Sequence, residues 1–253
     1  MKKSRIGVVI LAAGKGKRMA HRLPKVLIPV GGTPMILRVL DAALAARFQT
    51  KPILVVGYKK DLVKKVVGNR ARYAVQQRAL GTGHAVAAAM PLLRKDKVDR
   101  VVVIYGDHPF VTAIMLKKLV TALQKKGTVL SCVTVRVPSF HDEGRACLHY
   151  GRILRDKSNR YVRACIEYKD ATVKERKIRE VNSGQYCFDA VWLEKSLPRL
   201  KKKNLSHEYY LTDLIGLAVA DGYGVTPITP RNWRSGLGAN TIEEIQLAER
   251  FTH

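Results

Sequence analysis

The sequence has no C-x-x-C pair. Its four cysteines, Cys132, Cys147, Cys165 and Cys187, stand apart and read as small buried hydrophobes in a reducing compartment rather than as ligands or a disulfide framework. It has no H-E-x-x-H, and its seven histidines (His21, His84, His108, His141, His149, His207 and His253) are scattered, which argues against zinc. No apolar run approaches the roughly 20 residues of a membrane span. Lys2, Lys3 and Arg5 precede the apolar stretch Ile6–Ala13, but that stretch is short for the core of a secretion signal and basic residues follow it at once. A cytoplasmic protein with no membrane partner is expected. Repeats, low-complexity tracts and an obvious linker are missing too, so residues 1–253 read as a single domain. A domain near this length buries roughly 70–75% of the surface its unfolded chain exposes, so no staple is needed.

Acid is also scarce: 20 Asp and Glu face 46 Lys and Arg, a net charge of +26. Such a balance steers anionic ligands. The clusters 199–203 and 174–177 lie far along the chain from the loop described next. A nucleic-acid partner is compatible with the charge, but no RNA- or DNA-binding motif accompanies it. A solvated basic surface explains it equally.

What is present begins at Val9. The stretch VILAAGKGKRMAHRLPKVL runs from an apolar strand into a turn with Gly14 and Gly16, no acid, and the cations Lys15, Lys17, Arg18, Arg22 and Lys25. Glycine permits φ > 0 and a close approach of backbone N–H groups to an anion, and Arg can grip two phosphate oxygens. The segment suits a triphosphate. It does not fit the P-loop G-x-x-x-x-G-K-[ST], and Met19 stands where the dinucleotide fingerprint G-x-G-x-x-G needs its third glycine.

Strands are expected at Ile6–Leu11, Pro52–Gly57, Ala71–Gln76, Arg100–Tyr105 and Val129–Val135. Helices are expected at Thr33–Phe48, Lys59–Val67, Gly83–Leu93 and Thr112–Lys126, the last capped by Thr112 and stopped by Gly127. Runs such as Val101-Val102-Val103-Ile104 suit parallel strands covered on both faces. The alternation predicts an α/β fold: a Rossmann-like, mostly parallel sheet with helices on both faces and ligands beyond the strand carboxyl ends. After Pro138 the rhythm changes. Short strands are expected at Ala146–Leu154 and Arg160–Tyr168, a charged helix near Ala171–Arg179, a strand at Val181–Phe188 and a helix from about His207 to Ala220. The change divides the domain into two halves, 1–137 and 138–253.

Two more constellations carry chemistry. Gln76 ends a strand just before the Gly81-Thr82-Gly83 turn that opens a helix, and its amide offers a donor and an acceptor suited to the imide edge of uracil. Tyr105-Gly106-Asp107-His108-Pro109-Phe110 closes a buried strand, placing a carboxylate where it could hold Mg²⁺ against phosphates.

Leu11-Ala12-Ala13-Gly14-Lys15-Gly16-Lys17-Arg18-Met19 followed by Leu23-Pro24-Lys25 resembles L-A-A-G-x-G-[ST]-R-[ML]…L-P-K, the signature of sugar-nucleotide pyrophosphorylases. Gln76–Ala85 is similar to Q-x-x-x-L-G-T-G-H-A of the uridyltransferase domain in bifunctional N-acetylglucosamine-1-phosphate uridyltransferases. Tyr105–Phe110 resembles Y-G-D-x-P-[LF], Tyr150–Ile153 Y-G-R-I, Ile166–Ala171 I-V-E-x-K-D-A, Val181–Gly184 N-T-G, and Gly238–Asn240 G-V-N. Glu208–Asp213 matches E-Y-Y-L-T-D. The matches keep the family's order over about residues 5–250. Lys17 replaces a small hydroxyl residue, Ala79 a common glutamine, and His108 an apolar residue.

The resemblance implies nucleotide contacts from Leu11, Ala12, Ala13 and Gly14, and base contacts from Gln76, Gly81 and Thr82. It places the triphosphate on Arg18 and Lys25, which would also serve catalysis. Residues 1–137 would be the nucleotide-binding half and 138–253 the sugar-binding half, in which Gly151, Glu167 and Asn182 would face the sugar; Asp107 and Asn240 would hold Mg²⁺. The implied reaction joins UTP and a sugar 1-phosphate, foremost N-acetylglucosamine 1-phosphate, into a UDP-sugar and pyrophosphate. Glucose 1-phosphate, dTTP or CTP are alternatives, as is a basic nucleotide- or RNA-binding protein without turnover. The bifunctional members continue into a left-handed β-helix that carries acetyltransferase activity and trimerises; this sequence ends at His253 and is expected to lack it.

Overall fold

In the computed structural model, which describes residues 4–16 and 23–252, the apolar run after Arg5 forms the strand β1 (Ile6–Ala12). The chain continues through β2 (Pro29–Val30), β3 (Thr33–Pro34), α1 (Met35–Ala45), β4 (Ile53–Val56), α2 (Lys60–Val67), β5 (Arg72–Val75), α3 (Thr82–Lys95), β6 (Arg100–Tyr105), α4 (Ala113–Ala122) and β7 (Thr128–Arg136). Then follow β8 (Arg152–Arg155), β9 (Val162–Ile166), α5 (Val173–Arg176), β10 (Glu180–Asp189), α6 (Ala190–Ser196), α7 (Asp213–Ala220), β11 (Gly224–Ile228) and α8 (Ile242–Arg250). A nine-stranded sheet has the order β11-β7-β10-β6-β1-β4-β5, with β8 pairing β10 and β9. β6, β1, β4 and β5 are parallel, β11 is parallel to β7, and β10 runs antiparallel between β7 and β6. The expected mixed, mostly parallel Rossmann-like sheet is what the chain forms.

Side-chain alternation explains the continuous apolar runs. Ile6, Val8, Ile10 and Ala12 of β1, with Val102 and Ile104 of β6, pack with Ile36, Val39 and Leu40 of α1, Val63 of α2 and Leu116 of α4. Val9, Val101 and Val103 project to the other face, among Val86 and Ala89 of α3, Leu193 of α6 and Ile215 of α7. Each buried Val or Ile contributes about 1.5–3 kcal/mol. The parallel strands end level: Leu11 pairs with Tyr105 and Ala12 with Val56. The glycine loop, Gly57, Gln76 and Gly106-Asp107 therefore leave the sheet along one edge, with β4 and β6 on opposite sides of β1, the crevice where such folds hold ligands.

Several elements are shorter than the sequence pattern predicts, each for a local reason. The expected helix from Thr33 starts only at Met35, because Gly31 (φ +57°) and Gly32 (φ +73°) turn Pro29–Val30 back on Thr33–Pro34 as a hairpin. Instead of a strand from Ala146, residues Asp142–Cys147 form a 3-10 turn and β8 begins at Arg152. Arg152 is fully buried, and its guanidinium donates to the carbonyls of Leu148 (2.8 Å), Tyr150 and Arg176 (3.2 Å) while stacking on Phe140 and Tyr168. The chain curls to bring those carbonyls in. The expected Ala171–Arg179 helix is reduced to one turn, Val173–Arg176, with a capping box between Thr172 and Glu175.

The helix expected from His207 begins at Asp213. Tyr209 N–H donates to Leu80 O (2.8 Å), Gly83 N–H to Tyr209 O (2.9 Å) and Leu211 N–H to the Thr82 hydroxyl (2.9 Å), so these groups serve the 80–83 turn instead of a helix. Thr112 does cap α4, accepting from Met115 N–H. The sequence pattern did not single out α6 or β11, both short. Among the described residues no helix is long and apolar enough to cross a membrane.

Candidate active site

A cleft of 930 Å³ opens along the carboxyl edge of the parallel strands. It is lined by Leu11, Ala12, Ala13 and Gly14 from the first loop, and by Lys25, Gln76, Gly81, Thr82, Asp107, Glu167 and Asn240. Of the residues singled out from the sequence, Arg18 lies outside the described residues, as does Lys17. Gly151 and Asn182 do not line it.

The first loop leaves β1 with Gly16 at φ +60°. Gly14 is not in the left-handed region, and a Cβ built there would meet nothing within 4 Å. Its value is therefore open space over the cleft, not backbone freedom. Lys15 and Lys25 bring positive charge to this wall.

Lys25, Asp107 and Asn240 form the centre. The Lys25 ammonium is ion-paired with Asp107 and donates to Asn240 Oδ1 at 2.8 Å. Both members of the pair are nearly enclosed, with side chains 15% and 13% exposed. Burial by itself would raise the Asp107 pKa; the Lys25 charge, then His108, reverse this and hold it below the usual carboxylate value. Asp107 is carried here because Gly106 N–H bonds Leu11 O (2.9 Å) and a Cβ at Gly106 would meet Ile36 Cδ1 at 2.9 Å and Leu11 O at 3.0 Å. Only glycine passes so close. Asn240 arrives from far along the chain because Ala239 N–H donates to Asp107 O (2.9 Å) and Gly238 N–H to the Tyr150 hydroxyl (2.6 Å). Thr241 then caps α8. His108 is buried against Tyr105 and Tyr150, and burial, the largest influence, lowers its pKa. It packs behind Asp107, its Nε2 3.7 Å from Asp107 Oδ1.

The two side-chain oxygens of Asp107 and Asn240 already converge on a cation, the Lys25 ammonium. A hard divalent ion such as Mg²⁺, which takes few protein oxygens and completes its shell with water and phosphate, fits that donor set once Lys25 turns to a phosphate. No cluster of three or more His, Cys, Asp or Glu suited to a metal occurs among the described residues.

At the end of β5, Gln76 Nε2 donates to Gly81 O at 3.0 Å and lies 3.1 Å from His84 Nδ1. A carbonyl only accepts, so the amide orientation follows, and Oε1 is left to accept from a ligand. Gly81 has φ +109°, and a Cβ there would meet Tyr209 O at 2.6 Å. The turn 80–83 and the segment 208–212 are thus one unit, which the separate motifs did not show.

On the opposite wall, Glu167 is half-buried and its Oε1 accepts from the Thr212 hydroxyl at 2.9 Å. Burial raises its pKa, opposed by that hydrogen bond. Gly151 backs it: a Cβ there would meet Cys165 Sγ at 2.7 Å and Glu167 Oε1 at 3.5 Å. Asn182 Nδ2 donates to the Tyr186 hydroxyl (2.6 Å), and its Oδ1 accepts from Gly184 N–H (3.2 Å) in a bulge of β10. His149, Tyr168, Lys169, Ser206, Glu208 and Tyr210 complete this wall. Of these, the motif matches contained Tyr168, Lys169, Glu208 and Tyr210 without giving them a role. His149 and Ser206 carried no signal.

Comparison with known proteins places the chain in a family. The chain is 42% identical over 241 residues to the bifunctional protein GlmU of Heliobacterium modesticaldum, covering 95% of the chain and 50% of that protein. It is 43% identical over 246 residues to the bifunctional protein GlmU of Aromatoleum aromaticum, covering 96% and 51%. The chain spans about half the length of these curated relatives. A solved structure from Bacillus anthracis, named as a glucose-1-phosphate thymidylyltransferase and determined with a sucrose, superposes with a TM-score of 0.76 at 22% identity, covering 97% of this chain and 94% of that one. That likeness concerns the fold. With residues 8–181 matching its family description, the chain belongs to the MobA-like NTP transferase domain family.

Proposed function

We propose that this chain is a sugar-1-phosphate uridylyltransferase, with N-acetylglucosamine 1-phosphate as the preferred acceptor. The observation that carries the reading is the convergence of Lys25, Asp107 and Asn240 between an uncharged amide acceptor at Gln76 and a carboxylate at Glu167. The GlmU relatives support UTP and the N-acetyl sugar as the pair.

An oxygen of the sugar phosphate bonds to the α-phosphorus of UTP as the bond from that phosphorus to the bridging oxygen breaks, and pyrophosphate leaves with the electron pair. The nucleophile is already an anion, so no general base is required. Alignment and charge neutralisation supply catalysis. Lys25, and Arg18 by its sequence motif, hold the β- and γ-phosphates. The loop Leu11–Gly14 offers room for the nucleotide, Gln76 Oε1 accepts from the base N–H, and Gly81 and Thr82 shape the same pocket. Glu167 accepts from sugar hydroxyls, with Gly151 behind it and Asn182 near the N-acetyl group. Asp107 and Asn240 would hold the Mg²⁺ that enzymes of this family use, which neutralises charge shared by the reacting phosphates.

A panel of UTP, dTTP and CTP against N-acetylglucosamine 1-phosphate and glucose 1-phosphate, read by pyrophosphate release with Mg²⁺, tests the reading. UTP with the N-acetyl sugar is expected to be fastest. Release with no pair would leave a nucleotide binder and overturn the reading.

A further inference from the structure

The cleft does not end at the base side. A second cavity of 240 Å³ shares Ala13, Lys15, Gln76 and Ala79 with it and extends between the Gly57-Tyr58 turn, Lys60 and Gln77. Ala79 stands where the two meet, and it is exposed. The sequence motif that this segment resembles commonly has glutamine there, whose longer side chain would project into the junction. Alanine leaves it open, with room for several waters of ~30 Å³ each. Gln76 sets the other requirement. Its Nε2 is committed to Gly81 O, so the group it reads is a base N–H offered to Oε1.

We propose that the base side accepts a nucleobase bulkier than uracil provided that it presents a ring N–H beside a carbonyl, as a 5-substituted uracil or guanine does. This rests on the reading of Gln76 as the base contact. Ala79 is then a determinant of base size: the junction it leaves open receives the added bulk, while Gln76 supplies the hydrogen bond common to both bases. A pocket walled by one extra side chain discriminates by about 10–200-fold, so the effect is measurable.

The experiment compares UTP, 5-iodo-UTP and GTP in wild type and in Ala79→Gln, by pyrophosphate release and by calorimetric binding. At least one bulkier nucleotide is expected to reach a kcat/KM within about tenfold of UTP, and Ala79→Gln to lower its ratio to UTP by about tenfold or more. Because Ala79 is exposed, the substitution leaves the core untouched. UTP turnover with both bulkier nucleotides falling further behind, or a ratio that Ala79→Gln does not move, overturns this proposal alone. A chain that neither binds nor turns over UTP overturns the base reading, and this proposal with it.

Discussion

The two walls of the cleft treat their carboxylates in opposite ways. Asp107 sits with an ammonium and a histidine, and its pKa is lowered, the Lys25 charge opposing the effect of burial. Across the cleft, Glu167 has a raised value, as has Asp213 next to its partner Thr212; burial is the largest cause in both, with neighbouring acids adding to it. A protein of net charge +26 has cations to spare, yet pairs none of them with Glu167 or Asp213 in an ion pair among the described residues. The difference matches what each wall would receive. Where phosphates arrive, a carboxylate must stay ionised beside a cation. Where hydroxyls arrive, a carboxylate serves as a hydrogen-bond acceptor and gains nothing from being tied to lysine.

The sharpest break of that contrast removes the charge from the first wall. Asp107→Asn keeps the shape but cannot balance Lys25. A fall in kcat of about 100-fold or more is expected, equal to roughly 2.7 kcal/mol of transition-state stabilisation, with an unchanged thermal midpoint to show that folding survives. Excess EDTA should likewise stop turnover. Wild-type rates in either case would end the reading of this wall as the phosphate side.

Next in size is the base contact. Gln76→Ala removes the acceptor at Oε1 and also the bond to Gly81 O. A loss of about 1–3 kcal/mol, some 5–150-fold in kcat/KM for UTP, is expected in steady-state kinetics. Undiminished UTP kinetics would move the base elsewhere.

Asn182 separates a role in the sugar wall from a role in the sheet. Asn182→Ala removes one of the bonds to the buried Tyr186 hydroxyl, so stability should drop by about 0.5–1.5 kcal/mol in denaturant unfolding. If the side chain also reaches the N-acetyl group, preference for N-acetylglucosamine 1-phosphate over glucose 1-phosphate shrinks. A preserved preference would confine Asn182 to the bulge.

The sheet and the first wall were legible in the sequence because their signals are local. Val101–Ile104 could only be a covered strand, and Gly106-Asp107 at its end had to reach the edge. The second half was less legible because single buried contacts override local pattern there. Arg152 gathers three carbonyls from two segments and shortens a strand and a helix at once. Tyr209 lends its backbone to Gly81 and Gly83, so helical periodicity before Asp213 is not expressed. The raised pKa values of Glu167 and Asp213 depend on tertiary burial, which no spacing records. The pairing of Lys25 with both Asp107 and Asn240 is of the same kind, since three distant segments meet in it.

The smallest effect tests the acid wall through stability. Asp213 opens α7, where a negative charge is favoured by the helix N-terminus, yet burial, with Asp170 adding to it, raises its pKa from 3.8 to about 6. The folded protein therefore holds this proton more tightly than the unfolded chain does. The contribution is fully present below 3.8 and is lost as pH rises through about 6. Asp213→Asn never ionises, so it should gain on the wild type across that window and keep its lead above it. At full strength two units correspond to about 2.7 kcal/mol, but the side chain is half-exposed and screening reduces this to about 1 kcal/mol. Melting curves should show a gap in Tm of about 2–4 °C that opens between pH 4 and 7. The gap should be absent at pH 3, where both side chains are uncharged. A gap of equal size at every pH would mean that the substitution acts through packing and that the acid wall stores no such repulsion.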